Sequence, residues 1–291
     1  MTAGDLRWGR RILMCPPRHF GVLYEINPWM SSEVTVDADQ AAAQWDNLAA
    51  TLRAAGAEVV EMEPRPEVPD LVFTANAGLV NGDRFVPSHF RHPERQPETE
   101  VNAAWFAGAG WQVDRLPADL DHEGAGDALP FTPEGGHTVL LSGYSFRSDA
   151  RAATALAELL GCAVRPIQLV DPRLYHLDLT FCPLDGRRAL VAPLGWDGYG
   201  RKVVEALVPE PLVLTDEEAL SFCANSVVVG TTVVMPVATP RVARRLEGWG
   251  FDVVECRVDE FLKAGGGCRC LTLALDVVLS GSPRATPTPP G

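Results

Sequence analysis

Residues 176–181, HLDLTF, set an acidic side chain, Asp178, beside a strand-like apolar run, and the arrangement recurs along the chain. Asp70 in PDLVFT (69–74), Asp127 in GDALPF (126–131), Asn225 in ANSVVV (224–229) and Cys270 in CRCLTL (268–273) repeat it, at intervals of 57, 51, 47 and 45 residues. A period near fifty marks a supersecondary unit repeated about an axis. Each unit reads as an apolar run, a turn (Asn81-Gly82-Asp83, Asp185-Gly186, Gly230-Thr231), a second apolar run, an amphipathic helix and a short strand such as AEVVEM or FDVVEC. Helical spacing covers 39–55, 98–108, 148–160, 199–208 and 240–248, with Ser148 as an N-cap and Gly56, Gly161 and Gly250 just past helix ends. The fold expected is α/β, a five-bladed propeller of ββαβ modules with pseudo-fivefold symmetry around a central channel. A doubly wound sheet is the competing architecture.

Outward from the repeats, 26 Gly and 24 Pro among 291 residues punctuate too often for a helical bundle. Residues 1–279 are expected to form a single domain, and the Pro/Thr/Gly-rich stretch 280–291 a disordered tail. A net charge of −13 repels phosphate backbones and excludes nucleic acid as a partner, while it draws small cations. No apolar run is long enough to span a membrane, and the first residues lack a basic segment followed by an apolar one, so a cytoplasmic protein is expected. Seven cysteines, an odd number, suit reduced thiols better than a disulfide framework. Cys268 and Cys270 have no second pair to complete a zinc site, so no metal is expected. Assembly into a homo-oligomer is left open.

Cys270 follows Gly265-Gly266-Gly267, where backbone can approach a ligand closely and a thiolate nucleophile would sit at a strand end. Cys268 lies on the same face of an extended segment, so spacing alone does not choose between them. His176 heads an apolar run at the same end of its module as Cys270, the arrangement thiol catalysis needs. In Glu123-Gly124-Ala125-Gly126-Asp127 two carboxylates flank two glycines; facing a closed channel, they imply a cationic ligand. Arg91 and Arg95 in SHFRHPER and Arg147 in YSFRSD could each grip a carboxylate through a bidentate pair. Together these groups suit a small cationic amino acid.

Six ordered segments carry a resemblance over nearly the whole chain: MCPPRHFGVLYEINPWM, PDLVFTANAG, FRHPER, EGAGDAL, YHLDLTFCPL and GGGCRCLTL. They resemble the guanidine-modifying superfamily of arginine deiminases, dimethylarginine dimethylaminohydrolases, arginine dihydrolases and amidinotransferases. The resemblance implies a five-bladed α/β propeller in which Cys270 attacks the guanidinium carbon, His176 is the general acid/base and Glu123 supports both histidine and substrate. It implies further that Asp178 holds the guanidinium, Arg91 and Arg147 bind the substrate carboxylate, and Asp70 lies near the amino end. No metal or organic cofactor is needed for that chemistry. Asn76, in Phe73-Thr74-Ala75-Asn76, stands where deiminases and dimethylarginine hydrolases usually carry an aspartate; TANAG and INPWM look most like the arginine dihydrolase branch, and His122 stands where relatives often have an aromatic. The implied activity is hydrolysis of a guanidinium C–N bond of free or N-methylated arginine through a covalent thiouronium, giving citrulline and an amine. The alternatives are an arginine dihydrolase giving ornithine, CO2 and ammonia, an amidinotransferase, and a non-catalytic arginine-binding protein.

Overall fold

The computed structural model describes residue 4 and residues 6–279, so the expected tail at 280–291 lies outside the described residues. In chain order, β1 (Arg11–Met14), α1 (Ala38–Ala54) and β2 (Glu58–Glu61) are followed by β3 (Gly78–Asn81), β4 (Arg84–Pro87), α2 (Glu98–Gly108) and β5 (Gln112–Val113). The short α3 (Gly124–Asp127) leads into β6 (Ala128–Phe131), β7 (Val139–Tyr144), α4 (Ala152–Leu160) and β8 (Ala163–Gln168). Then come β9 (Phe181–Pro183), β10 (Arg188–Val191), α5 (Gly198–Leu207), β11 (Glu210–Val213) and α6 (Asp216–Leu220). The last elements are β12 (Val227–Val229), β13 (Thr232–Met235), α7 (Pro240–Gly248), β14 (Asp252–Glu255), α8 (Asp259–Leu262) and β15 (Leu273–Ala274).

These strands form five sheets of three strands. In each sheet the middle strand is antiparallel to one neighbour, a hairpin partner in four of the five, and parallel to the other, reached through the helix. Parallel pairing needs a crossover, and the helices supply it. The first sheet is completed from the far end of the chain: β15 pairs with β1, Ile12 opposite Ala274 and Leu13 opposite Leu273. The chain thus closes its own ring, and the fold is the five-bladed α/β propeller expected from the repeats.

Local chemistry explains the elements. Asp37 caps α1 by accepting from the Gln40 amide at 3.0 Å, and Ala41, Trp45, Leu48, Ala49 and Leu52 form its buried stripe. Gly161 ends α4 in the left-handed conformation at φ 64°, as its position in the sequence indicates. Two local expectations differ from the structure. PDLVFT and HLDLTF do not run as strand: Pro69–Val72, Thr74–Asn76 and Leu177–Leu179 are 3-10 turns, and the blade strands begin at Gly78 and Phe181. Ser148 does not cap α4, which starts at Ala152, because its hydroxyl donates to Asp127 Oδ2 at 2.6 Å and accepts from the Glu123 amide at 3.1 Å. Among the described residues no helix is long and apolar enough to cross a membrane.

With the blades numbered in chain order from the β15–β1–β2 sheet, blade two is β3, β4 and β5, and its packing is dominated by aromatic rings. Phe85 of β4 and Phe106 of α2, both fully buried, stack with centroids 3.5 Å apart and planes 6° from parallel. Phe106→Ala should therefore destabilise the protein by about 3–5 kcal/mol, read from urea unfolding; a loss below about 1 kcal/mol would contradict this account of the blade core.

Candidate active site

The starts of the blades converge on a buried polar cluster. A small cavity of about 10 Å3 there is lined by Asp70, Asn76, Arg147 and Cys270 from the expected set, with Arg95, Tyr175, Phe73 and the loop carrying Ile26, Asn27 and Met30 among its other walls. His176, Glu123 and Asp178 adjoin these walls from behind, each at most 1% exposed.

Cys270 reaches its place through the glycines. A Cβ on Gly266 would strike the Phe73 ring, and one on Gly267 would lie 2.7 Å from Asn225 Oδ1, so this backbone approaches its neighbours as only glycine can. The Cys270 thiol donates to Asp178 Oδ2 at 3.4 Å and accepts from Asn225 Nδ2 at 3.2 Å. Burial, with the Asp178 charge added, pushes the Cys270 thiol well above its ordinary range. Cys268 points elsewhere, donating to the Cys256 carbonyl at 3.3 Å. The structure thus separates the two cysteines that the sequence could not.

Glu123 ends the turn before α3, and one of its oxygens, Oε2, has two partners: Arg147 Nη1 at 2.9 Å and His176 Nε2 at 2.8 Å. Burial is the largest influence on Glu123 and would raise its pKa, but Arg147, His176 and Arg95 together hold the carboxyl well below the carboxylate range. Asp127, at the other end of α3, accepts from the Leu177 amide at 3.1 Å and so fixes the backbone next to His176. Burial raises Asp127 to about 6 and Asp178 to about 7, and Arg269 moderates the latter. Gly126 is obligatory, since a Cβ there would land on Asn76 Nδ2.

Asn76 is held between unlike partners: its Oδ1 accepts from Arg95 Nη1 at 3.0 Å and its Nδ2 donates to the Glu123 carbonyl at 3.2 Å. Asp70 accepts from the Tyr24 hydroxyl at 2.8 Å, and burial raises its pKa. Among the described residues, one oxygen each of Asp70 (Oδ1), Glu123 (Oε1) and Asp178 (Oδ1) is buried with no hydrogen-bond partner. Unpaired carboxylate oxygens in an enclosed site are costly until a cation or donor reaches them.

Arg91 is not brought to the cavity. Its guanidinium is spent on Asp121 Oδ2 at 3.0 Å and on the Ser145 and Phe146 carbonyls at 2.7 and 3.1 Å, which anchors the turn that presents Arg147. Arg147 also donates to the Ile26 carbonyl at 3.1 Å and lies 4.7 Å from the centre of the Tyr175 ring. The sequence weighed Arg95 beside Arg91 but could not show which of two arginines four residues apart would turn inward; Glu98, three residues beyond Arg95, is its bidentate partner at 2.7 and 2.8 Å. Arg269 and Asn225 were not distinguishable as site residues. Arg269 is buried against Trp8, 5.2 Å from its ring centre, and its Nε has no partner among the described residues. Among the described residues no group of three or more His, Cys, Asp or Glu side chains is placed to hold a metal ion.

Residues 25–277 match the family model described as N,N dimethylarginine dimethylhydrolase, eukaryotic. The bifunctional arginine dihydrolase/ornithine cyclodeaminase AgrE of Nostoc sp. is 44% identical over 266 residues, covering 90% of this chain and 37% of that protein. This chain therefore spans little more than a third of that relative. An N(G),N(G)-dimethylarginine dimethylaminohydrolase of Mycobacterium tuberculosis is 38% identical over 91% of this chain and 86% of its own length. The crystal structure of a variant N-terminal domain of ArgZ, the Synechocystis sp. arginine dihydrolase/ornithine cyclodeaminase, covalently bound to a reaction intermediate, superposes with a TM-score of 0.87 at 40% identity, covering 91% of this chain and 97% of that one.

Buried carboxyls with raised pKa values give stability a definite pH dependence. Asp178 and Asp127 bind protons more readily folded, near pH 7 and 6, than at the ordinary value of 3.8. Their contribution is therefore full below pH about 4 and is lost as pH rises through the folded values. Unfolding free energy measured in urea should fall by on the order of 2 kcal/mol between pH 5 and pH 8, and Asp178→Asn should flatten that slope; a rising curve would contradict the assignment.

Proposed function

We propose that this chain, which belongs to the N,N dimethylarginine dimethylhydrolase family, hydrolyses the guanidinium group of free arginine, with Cys270 as nucleophile and ornithine as the end product. The observation that carries this reading is the trio of unpartnered, buried carboxylate oxygens on Asp70, Glu123 and Asp178, with Asp178 in contact with the Cys270 thiol and Asp70 lining the same cavity. A guanidinium is a resonance-stabilised cation and a poor electrophile, so it must be gripped by carboxylates and met by a thiolate.

In this reading Asp178 holds the guanidinium beside Cys270, and Asp70 receives the α-amino group. Arg147 meets the carboxylate, with Arg91 setting the turn that carries it. The Cys270 thiol loses its proton towards His176, and sulfur forms a bond to the guanidinium carbon as one C–N π bond becomes a lone pair on nitrogen. His176, its imidazolium balanced by Glu123, protonates a terminal nitrogen; ammonia departs and an S-alkyl thiouronium remains. Water, deprotonated by the same histidine, adds to that carbon, and sulfur leaves as thiolate to give the ureido compound. A second round on the ureido carbon releases the other terminal nitrogen and CO2.

Asn76 favours the two-round reaction. Fixed between the Arg95 guanidinium and the Glu123 carbonyl, its Nδ2 has a second N–H that can donate to a neutral ureido oxygen, which an aspartate would repel. The family match and the Mycobacterium relative favour a second reading, a single round on dimethylarginine that ends at citrulline.

The purified protein is expected to turn arginine into ornithine and ammonia, and Asn76→Asp to shift the product towards citrulline. Loss of the hydrogen bond to the second intermediate should cost about 1–3 kcal/mol in the second round. An unchanged product ratio in the variant would contradict the role of Asn76, and a wild type yielding only citrulline and an amine would establish the single-round reading.

A further inference from the structure

Asn225 stands at the junction of the two groups on which the proposed chemistry turns. It precedes β12, is 0% exposed, and uses all four of its side-chain hydrogen-bonding positions. Its Oδ1 accepts from the Arg269 and Cys270 amides at 3.1 and 3.2 Å. Its Nδ2 donates to the Asp178 carbonyl at 3.2 Å and to the Cys270 sulfur at 3.2 Å. Two amide donors on one side and a carbonyl acceptor on the other fix which end of the side chain is which. The Asn225 amide donates to the carbonyl of Phe222, a residue held at φ 65°, where a side chain of that bulk is strained. The turn is thus kept in an unfavourable conformation to present this amide.

We propose that Asn225 is a further catalytic residue: its amide N–H stabilises the Cys270 thiolate, while its carbonyl oxygen locks the nucleophile's backbone at a fixed separation from Asp178. The proposal rests on the reading of Cys270 as nucleophile. A neutral donor is what this site calls for. Besides Asn225, the groups in contact with the sulfur are Asp178, which opposes ionisation, and the backbone amide of Gly267, which favours it; Tyr175, Cys268 and Arg269 act on it only through their charges. A lysine or arginine in contact with the sulfur would activate it more strongly but would also repel a guanidinium bound at Asp178. An amide favours the thiolate without adding charge.

Asn225→Asp keeps the oxygen that accepts the two backbone amides and replaces the donor with an acceptor that adds negative charge, whereas the neutral Asn225→Ser shortens the donor without adding charge and so isolates the hydrogen bond. The test follows the pH dependence of iodoacetamide alkylation at Cys270, mapped by mass spectrometry in the substrate-free protein, alongside steady-state kinetics and thermal melting. In Asn225→Asp the alkylation midpoint should rise by about 1 pH unit or more, and kcat should fall roughly 100-fold while KM changes less; Asn225→Ser should lie between it and wild type. A folded Asn225→Asp protein with an unmoved midpoint would overturn the proposal, even if kcat fell. Should Asn225→Asp not fold, Asn225→Ser decides alone: a raised midpoint supports the proposal and an unmoved one overturns it. Cys270→Ser separates the two levels, since retained turnover there would remove the nucleophile reading and this proposal with it, whereas a dead Cys270→Ser with an unmoved Asn225 midpoint removes only the latter.

Discussion

Carboxylates enclosed at the hub of a closed ring are the constraint around which this structure is arranged. Asp70, Glu123, Asp127 and Asp178 are all at most 1% exposed, and each such group left unpaired costs several kcal/mol. The chain answers with internal partners: Arg147 and the His176 ring on Glu123, Arg95 between Asp70 and Glu98, and Arg269 near Asp178. The compensation is incomplete, and what is left over lies around the thiol. A site so built binds a cation by completing its own structure, so affinity for substrate and relief of internal repulsion are the same free energy.

The propeller makes that concentration feasible. Most site residues come from the turn that leads into a blade's first strand, Arg95 and Arg147 instead following the second strands β4 and β7, and the ring brings these segments to one axis. Blade two supplies Asn76, blade three Glu123 and Asp127, blade four His176 and Asp178, blade five Asn225, and the closing strand β15 follows Cys270. The β1–β15 pairing therefore does more than seal the sheet. It sets where Cys270 stands relative to Asp178, 92 residues away in sequence.

The ring was legible because its repeat is a spacing, which survives divergence of the residues within it. Even so, the second module was set on Asp70, whereas the structure begins its strand at Gly78, and the residue that enters it is Asn76. Pro69 and the short apolar run suggested a strand, but hydrogen bonds from Phe73 to Asp70 and from Asn76 to Phe73 close turns that periodicity does not reveal. Among site residues, Cys270 was legible because three glycines announce a close approach, and His176 because it heads an apolar run, although that run opens with a 3-10 turn and the strand begins only at Phe181. Arg91 was misleading for the opposite reason: an arginine after an aromatic carries no sign of which way it faces, and Asp121, 30 residues on, turns it aside. Asn225 was marked only by its place in the repeat and Arg269 gave no signal, because their roles consist of contacts with backbone and rings brought together only by ring closure.

The central claim is that a guanidinium takes up the unpaired charge around Cys270, and Asp178 makes this measurable. With its carboxyl raised to about 7 in the free protein, a cation bound against it must lower that value and expel a proton. Arginine titrated calorimetrically into Cys270→Ser protein at about pH 6.5, in two buffers of different protonation enthalpy, should release a substantial fraction of a proton for each molecule bound. Heats independent of the buffer, with citrulline binding as tightly as arginine, would contradict the account.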